Sequence, residues 1–325
     1  DINREEKSSK LTNTLSKNCT KQEVVGNFYK TSILNYRGYV TSEKKIKENL
    51  YTERIAKSIL DNGLLTVWKC LVPVRTNHFV PEHSKECECI ISTNRKEEIL
   101  AKLLYRQGDV GGLGKILDYQ TPLKKIQNDS YGKIDLLGYN TDDECYSVIE
   151  LKYRPSGSDE TLLRCVLEAY TYYRLLDIKQ INSVKEHEGI QQLKKLHGYK
   201  HTNEAELVVL FDERSCAKED GGAETNLMLR IDPDKPNTPS YPSKTVVSQQ
   251  YKECQELINL SKRKELRALC EAILKQESKL KQIRFVVLRA DTDSKSSYPT
   301  NIKGWSRKFD RLYRAETLLT ISRKG

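Results

Sequence analysis
Three residues stand out by type and spacing: Asp135, Glu150 and Lys152, within the stretch YGKIDLLGYNTDDECYSVIELK (131–152). Two carboxylates beside an amine are the material of metal-assisted hydrolysis. The carboxylates suit a hard divalent cation, and the amine can orient a water or offset developing negative charge. The stretch also predicts how they meet. Two short apolar runs flank the polar turn NTDDE (140–144), the pattern of a β-hairpin. Residues i and i+2 of a strand share a face, so Glu150 and Lys152 project together, and Asp135 on the partner strand can face them. Such a set is costly to bury unless a cation neutralises the acids. The plain alternative is a same-face Glu150–Lys152 pair on an edge strand; both strands are apolar enough to argue for central positions.

The elements around the hairpin must position this set. NRKEEILAKLLYR (94–106) predicts a helix capped by Asn94, with Ile99, Leu100, Leu103 and Leu104 as its apolar stripe. Glu97 lies at the edge of that stripe, and Glu98 is turned further towards solvent. GDVGGLG (108–114) ends the helix, and KILDYQTPL (115–123) predicts a strand. After the hairpin and the loop RPSGSD (154–159), ETLLRCVLEAYTYYRLLD (160–177) predicts a long helix. Its line Arg164, Glu168, Tyr172 runs at four-residue spacing and could look down on the acids, or could be a surface ion pair beside a core tyrosine. Residues 183–203 read as a polar insertion, and AELVVLFDE (205–213) as a buried strand.

Composition bounds the rest. The chain has 325 residues, 37% hydrophobic and 31% charged, with no run approaching a membrane span and no signal-peptide pattern. Nine cysteines without a repeating spacing, several inside apparent strands and helices, predict reduced thiols and a cytoplasmic setting. The net charge of +10 is concentrated late: residues 261–325 hold 17 Lys and Arg against 7 Asp and Glu. That surplus fits a polyanion partner as well as it fits a solvated lysine-rich surface.

The flanks are less informative. Residues 1–90 read as an N-terminal elaboration of unknown role, with a helix over 46–62 and a strand over LLTVWKCLVPV (64–74). His78, His83, Cys87 and Cys89 are zinc-capable ligands at H-x4-H-x3-C-x-C, but this lacks the usual knuckle spacing, and ordinary loop and strand residues are the expectation. The proline-rich DPDKPNTPSYPSK (232–244) predicts a stiff link. SKRKELRALCEAILKQESKLKQ (261–282) predicts a basic amphipathic helix, and IRFVVLRAD (283–291) a strand extending the main sheet. In NIKGWSRKFDRLYRAE (301–316), Trp305, Phe309 and Tyr313 are interleaved with Lys303, Arg307, Lys308, Arg311 and Arg314. The expected reading is a core-facing helix stripe; the functional one is phosphate contact beside a base-stacking aromatic.

The order helix, strand, strand, strand, helix, strand, with Asp135, a fourteen-residue gap and Glu150-Leu151-Lys152, resembles the PD-(D/E)XK nuclease superfamily. The string GKIDLLGY…YSVIELK is especially similar to archaeal-type mismatch and single-strand-junction endonucleases and to many bacterial relatives. The resemblance covers about residues 94–213. Ile134 stands where the motif often has proline, and Glu168-x3-Tyr172 stands where RecB-like members show Gln-x3-Tyr, which argues against a RecB-type exonuclease.

The resemblance implies a restriction-endonuclease-like α/β fold: an α-β-β-β-α-β mixed sheet flanked by helices over 91–215. The resemblance further implies Mg²⁺ or Mn²⁺ on Asp135, Glu150 and the Leu151 carbonyl, with Lys152 acting on the attacking water. Glu97, or Glu98 as second choice, would complete the site. The flanks lie outside it; by charge and pattern the basic region 216–325 could bind nucleic acid and partly complete the sheet. The expected activity is endonucleolytic, on DNA rather than RNA, in defence or repair, with a homodimer left open. The alternatives are a nucleic-acid-binding protein on an inactive nuclease fold and an effector nuclease activated by a nucleotide.

Overall fold
The computed structural model describes residues 22–36, 39–41, 44, 47–74, 83, 96–124, 131–152, 160–183, 191, 194–195, 199–212, 263–290 and 313–323. Its centre is a seven-stranded mixed sheet whose strands follow one another in sequence order. They are β3 (Asp109–Val110), β4 (Gly114–Pro122), β5 (Lys133–Asn140), β6 (Cys145–Lys152), β7 (Ala205–Asp212), β8 (Leu280–Ala290) and β9 (Tyr313–Ser322). A separate two-stranded sheet pairs β1 (Tyr39–Thr41) with β2 (Lys47–Leu50). Strands β3 to β6 form an antiparallel meander, β6, β7 and β8 run parallel, and β9 returns antiparallel.

The helices are α1 (Gln22–Gly26), α2 (Tyr51–Asp61), α3 (Lys96–Gln107), α4 (Leu162–Leu175), α5 (Ile178–Ser183) and α6 (Lys264–Gln276). Every residue of β6 is buried, as befits a central strand covered on both faces. The stripe Ile99, Leu100, Leu103 and Leu104 of α3 packs with Leu136, Ile149, Leu151, Val208 and Leu210 on one face. On the other face Leu137, Val148, Val209 and Phe285 pack against α4, α6 and the N-terminal elements. The sheet curls enough for its edges to meet at one end. Ala315 donates its N–H to Gly111 O at 2.6 Å, while Gln107 exchanges hydrogen bonds with the main chain of Tyr313 at 2.6 and 2.8 Å.

The hairpin turns at 141–144, as its polar residues predict, and α3, α4 and β7 fall where periodicity places them. Four expectations are corrected. The stretch 64–74 is a 3₁₀ helix (Leu64–Cys70) followed by extended chain, because Trp68 is drawn into the core, where its indole donates to Thr171 Oγ1 at 3.0 Å. The helix expected over 46–62 begins only at Tyr51, since 47–50 pair with β1. The helix expected over 261–282 ends at Gln276, and Leu280–Gln282 join β8. Tyr313 and Arg314 open strand β9, so the helical stripe over 301–316 does not extend to them.

The N-terminal elements are sewn to the rest. Glu53 on α2 accepts the N–H groups of Glu265 and Leu266 at 2.6 and 3.3 Å, supplying from a distant part of the chain a cap that α6 lacks locally. No described helix is long and apolar enough to cross a membrane.

Candidate active site
Glu150 and Lys152 fall in step with Tyr146 and Val148, so both point to the α4 side of the sheet. Asp135 lies one position past the last hairpin pair, Leu136 opposite Ile149. Its Oδ2 accepts the Leu151 N–H at 2.9 Å, and its Oδ1 accepts from Gln120 Nε2 at 2.8 Å. Gln120 holds a left-handed backbone conformation (φ 46°), strain that β4 stores beside this carboxylate. Lys152 Nζ pairs with Glu150 Oε1, lies 2.8 Å from Glu160 Oε2 and 3.9 Å from Glu168 Oε2. Arg164 bonds Glu160 Oε1 at 2.6 Å and approaches Glu168 Oε2 at 3.8 Å.

The position of α4 explains the convergence. Thr161 caps it, accepting the Arg164 N–H at 3.2 Å and donating to the Leu34 carbonyl. Asn35 Oδ1 accepts the Thr161 N–H at 3.2 Å, so the N-terminal segment fixes the start of the helix. From there Glu160, Arg164, Glu168 and Tyr172 follow at four-residue spacing along one face. Tyr172 donates to Glu168 Oε1 at 2.8 Å, and Tyr29 backs it with an O···O contact of 3.1 Å while donating to the Tyr131 carbonyl at 2.7 Å. Gly132, at φ 115°, leaves the space these hydroxyls fill, since a Cβ there would come within 2.6 and 2.7 Å of them.

The electrostatics follow from burial. Burial pushes the Asp135 carboxyl up to about 6, with Lys152 opposing and Glu168 adding to the rise. Burial, Asp135 and Glu168 together hold Glu150 well above the ordinary carboxylate range. Burial alone would lower Lys152, but Glu150 and Glu168 outweigh it and hold the ammonium well above its usual value. Charge adds to burial: among the described residues four carboxylates, Asp135, Glu150, Glu160 and Glu168, meet Lys152 and Arg164 in the cluster, with Lys30 acting on Glu168 from beside it. Lys152 keeps its proton, and Asp135 and Glu150 favour protonation, first because they are buried and then because of the neighbouring carboxylates. Among the described residues nothing donates a hydrogen bond to Glu150 Oε2, which is fully buried. A buried acceptor left unmatched is costly, and a divalent cation would both satisfy it and offset the negative charge around it. The donors are all hard oxygens, which fits Mg²⁺ or Mn²⁺.

The expected site residues divide. Asp135, Glu150, Lys152, Arg164, Glu168 and Tyr172 are brought together. Glu97 and Glu98 are not: α3 lies across the sheet from Glu150, and Glu98 pairs with Lys102 at 3.5 Å. What Leu151 brings to Asp135 is its N–H. Lys303, Trp305, Arg307, Lys308 and Arg311 lie outside the described residues, and Arg314 is exposed on β9. Of the zinc candidates, His78, Cys87 and Cys89 also lie outside them. His83 stacks on Tyr119 at 3.8 Å and meets Asp118 Oδ1 at 3.2 Å. Glu160, Gln120 and Tyr29 escaped sequence reasoning. Only Glu160 carried a signal, the extension of the Arg164–Glu168–Tyr172 line by one more step of four.

Another buried carboxylate, on the opposite face, is fully satisfied by protein donors. Glu206 on β7 takes a two-pronged bond from Arg284, at 2.9 and 2.7 Å, and further hydrogen bonds from Ser147 and Gln282, each at 2.7 Å. Asn140 adds contacts at 3.2 and 3.3 Å. Comparison with family models, with curated proteins and with solved structures returns no match for this chain.

Proposed function
We propose that the chain is a metal-dependent nuclease with a restriction-endonuclease-like core, hydrolysing phosphodiester bonds and cutting DNA internally, in defence or repair. The observation that carries this reading is Glu150 Oε2, buried beside Asp135 and Lys152 with no hydrogen-bond partner among the described residues. The topology supports it: α3, the meander β4–β5–β6, the crossing helix α4 and the parallel strand β7 follow the order of that core. The late basic surplus supports a polyanionic substrate.

A divalent ion held by Asp135 and Glu150 would polarise the scissile phosphoryl group and acidify a bound water. The protein's own groups do the rest. Gln120 and the Leu151 N–H hold the Asp135 carboxylate in one orientation. Lys152 carries a fixed positive charge where negative charge develops during attack, and its ammonium can hold the attacking water. The buried setting strengthens each of these interactions relative to water.

The test is cleavage of supercoiled plasmid and of single-stranded circles by wild type and Glu150→Ala, each with Mg²⁺, Mn²⁺ or EDTA. Nicking or linearisation that needs the metal and disappears in the variant is expected. A wild type that cuts neither substrate under any metal, yet shifts DNA in a salt-sensitive way, overturns the reading in favour of a binding protein.

A further inference from the structure
Glu160 and Glu168 come from the helix that follows the hairpin, and their arrangement goes beyond the Asp135–Glu150 pair. Glu150, Glu160 and Glu168 each offer a carboxylate oxygen within 4.8 Å of the others. Each has its other oxygen engaged by a protein donor or is itself only half satisfied. Glu160 Oε1 is held by Arg164 at 2.6 Å, and Glu168 Oε1 by the Tyr172 hydroxyl at 2.8 Å. Glu150 Oε1 is held by Lys152, and Glu150 Oε2 and Glu168 Oε2 are buried and take no hydrogen bond from the described residues. Fixing one oxygen of a carboxylate so that the other is presented is how supporting residues orient metal ligands.

We propose that Glu150, Glu160 and Glu168 form a divalent-cation site in which the Lys152 ammonium is the resident counter-ion, displaced when Mg²⁺ or Mn²⁺ enters. The ammonium already occupies the common ground, 2.8 Å from Glu160 Oε2 and 3.9 Å from Glu168 Oε2, and paired with Glu150. It is a poor final occupant. Against three ionised carboxylates, one ammonium and the Arg164 guanidinium leave the set negative, and an ammonium cannot reach all three carboxylates at bonding distance at once. A divalent ion supplies the missing charge. Metal–oxygen bonds of about 2.1 Å put neighbouring ligand oxygens about 3 Å apart, so the carboxylates need only draw in from their present separation. Lys152 sits on a flexible four-carbon stem and can swing aside while staying in the same cluster. In the nuclease reading, on which this consequence rests, ion entry would both complete the metal site and release Lys152 to act on the phosphate or the water. The helix α4 then supplies ligands, where the strands alone would supply only Asp135 and Glu150.

The experiment is Mn²⁺ titration of the full chain without nucleic acid, followed by calorimetry and by loss of the free-ion EPR signal. Glu160→Gln and Glu168→Gln should each weaken binding by about tenfold or more, and Lys152→Met should tighten it several-fold, because no resident cation must leave. Unchanged affinity in both glutamine variants overturns the site. Weakened or unchanged affinity in a folded Lys152→Met overturns the displacement. Should Lys152→Met fail to fold, the rise in melting temperature caused by saturating Mn²⁺ decides. Its loss in Glu160→Gln, whose side chain is partly exposed, supports the site, and its retention overturns it. Plasmid cleavage is scored separately. Ion binding that depends on Glu160 and Glu168 without cleavage sinks the nuclease reading alone, and cleavage with binding indifferent to them sinks this inference alone.

Discussion
Glu206 and Glu150 are buried glutamates on adjacent parallel strands, and the chain treats them in opposite ways. Glu206 meets the fork of Arg284, one full positive charge, and its oxygens also take hydrogen bonds from Ser147, Gln282 and Asn140. Glu150 shares one lysine with Glu160 and Glu168, stands near Asp135, and keeps one oxygen with no partner among the described residues. The chain can therefore satisfy a buried carboxylate when the carboxylate is structural. Burial of charge is not by itself a mark of function; an acceptor left open beside excess like charge is.

The largest effect tests that contrast directly. Glu206→Ala strands Arg284, itself buried, without its carboxylate, which should cost about 3–5 kcal/mol of stability. Glu150→Gln removes a carboxylate that its neighbours disfavour and leaves Lys152 with Glu160 and Glu168. In EDTA it should change stability by less than about 1 kcal/mol, or raise it, and in the nuclease reading it should abolish the cleavage seen with Mg²⁺. Urea unfolding of both variants in EDTA is the measurement. Equal and large losses would mean that Glu150 is as structural as Glu206.

The pH dependence sharpens the same point. Asp135 has its folded value raised from 3.8 to about 6, so between these values the folded chain holds a proton that the unfolded chain has lost. Stability from this group is fully present below about pH 4 and is lost as pH rises through about 6, up to roughly 3 kcal/mol in all. Glu150, also raised, extends the trend to higher pH. Wild type in EDTA should lose stability relative to Asp135→Asn over this window, and Mg²⁺ should flatten the difference. A difference that is level across pH 4–7 in EDTA would mean that the site already balances its charge without an ion.

Much of this was legible in the primary structure, for reasons that differ by element. The hairpin is readable because its runs are apolar on both faces and its turn is wholly polar, and the alternation of a strand then puts Glu150 and Lys152 on one side. Asp135 is readable as a partner-strand residue. The run 64–74 misleads because a short continuous apolar stretch suits a buried strand as well as a buried helical turn. What decides it is Trp68 stacking with Tyr170 at 6.0 Å, a contact 102 residues away in sequence. Glu160 precedes the cap of α4, and only the docking of Thr161 on Leu34 and Asn35 aims it at Lys152. Gln120 depends on a backbone conformation that its residue type does not announce. Glu97 enters the expected site only through the family resemblance, and the face on which α3 packs is a tertiary decision.

The smallest effect separates support of the site from support of the fold. Tyr29→Phe keeps the edge-to-face ring contact with Tyr172 at 5.5 Å but removes the hydroxyl that meets Tyr172 and the Tyr131 carbonyl. Ser147→Ala removes one donor of several from Glu206. Each deletes a buried hydrogen-bonding group, so each should cost about 1 kcal/mol in urea unfolding. Their effects on cleavage should diverge. Without the Tyr29 hydroxyl, the Tyr172 hydroxyl loses the oxygen packed behind it at 3.1 Å and gains room to turn from Glu168, and in the nuclease reading the turnover number should fall several-fold with little change in KM. Without Ser147, Arg284 and Gln282 still hold Glu206, and turnover should stay at the wild-type level. Equal losses of turnover would mean that general softening of the sheet limits the reaction. A fall confined to Tyr29→Phe would place the N-terminal segment among the parts that aim the acidic cluster.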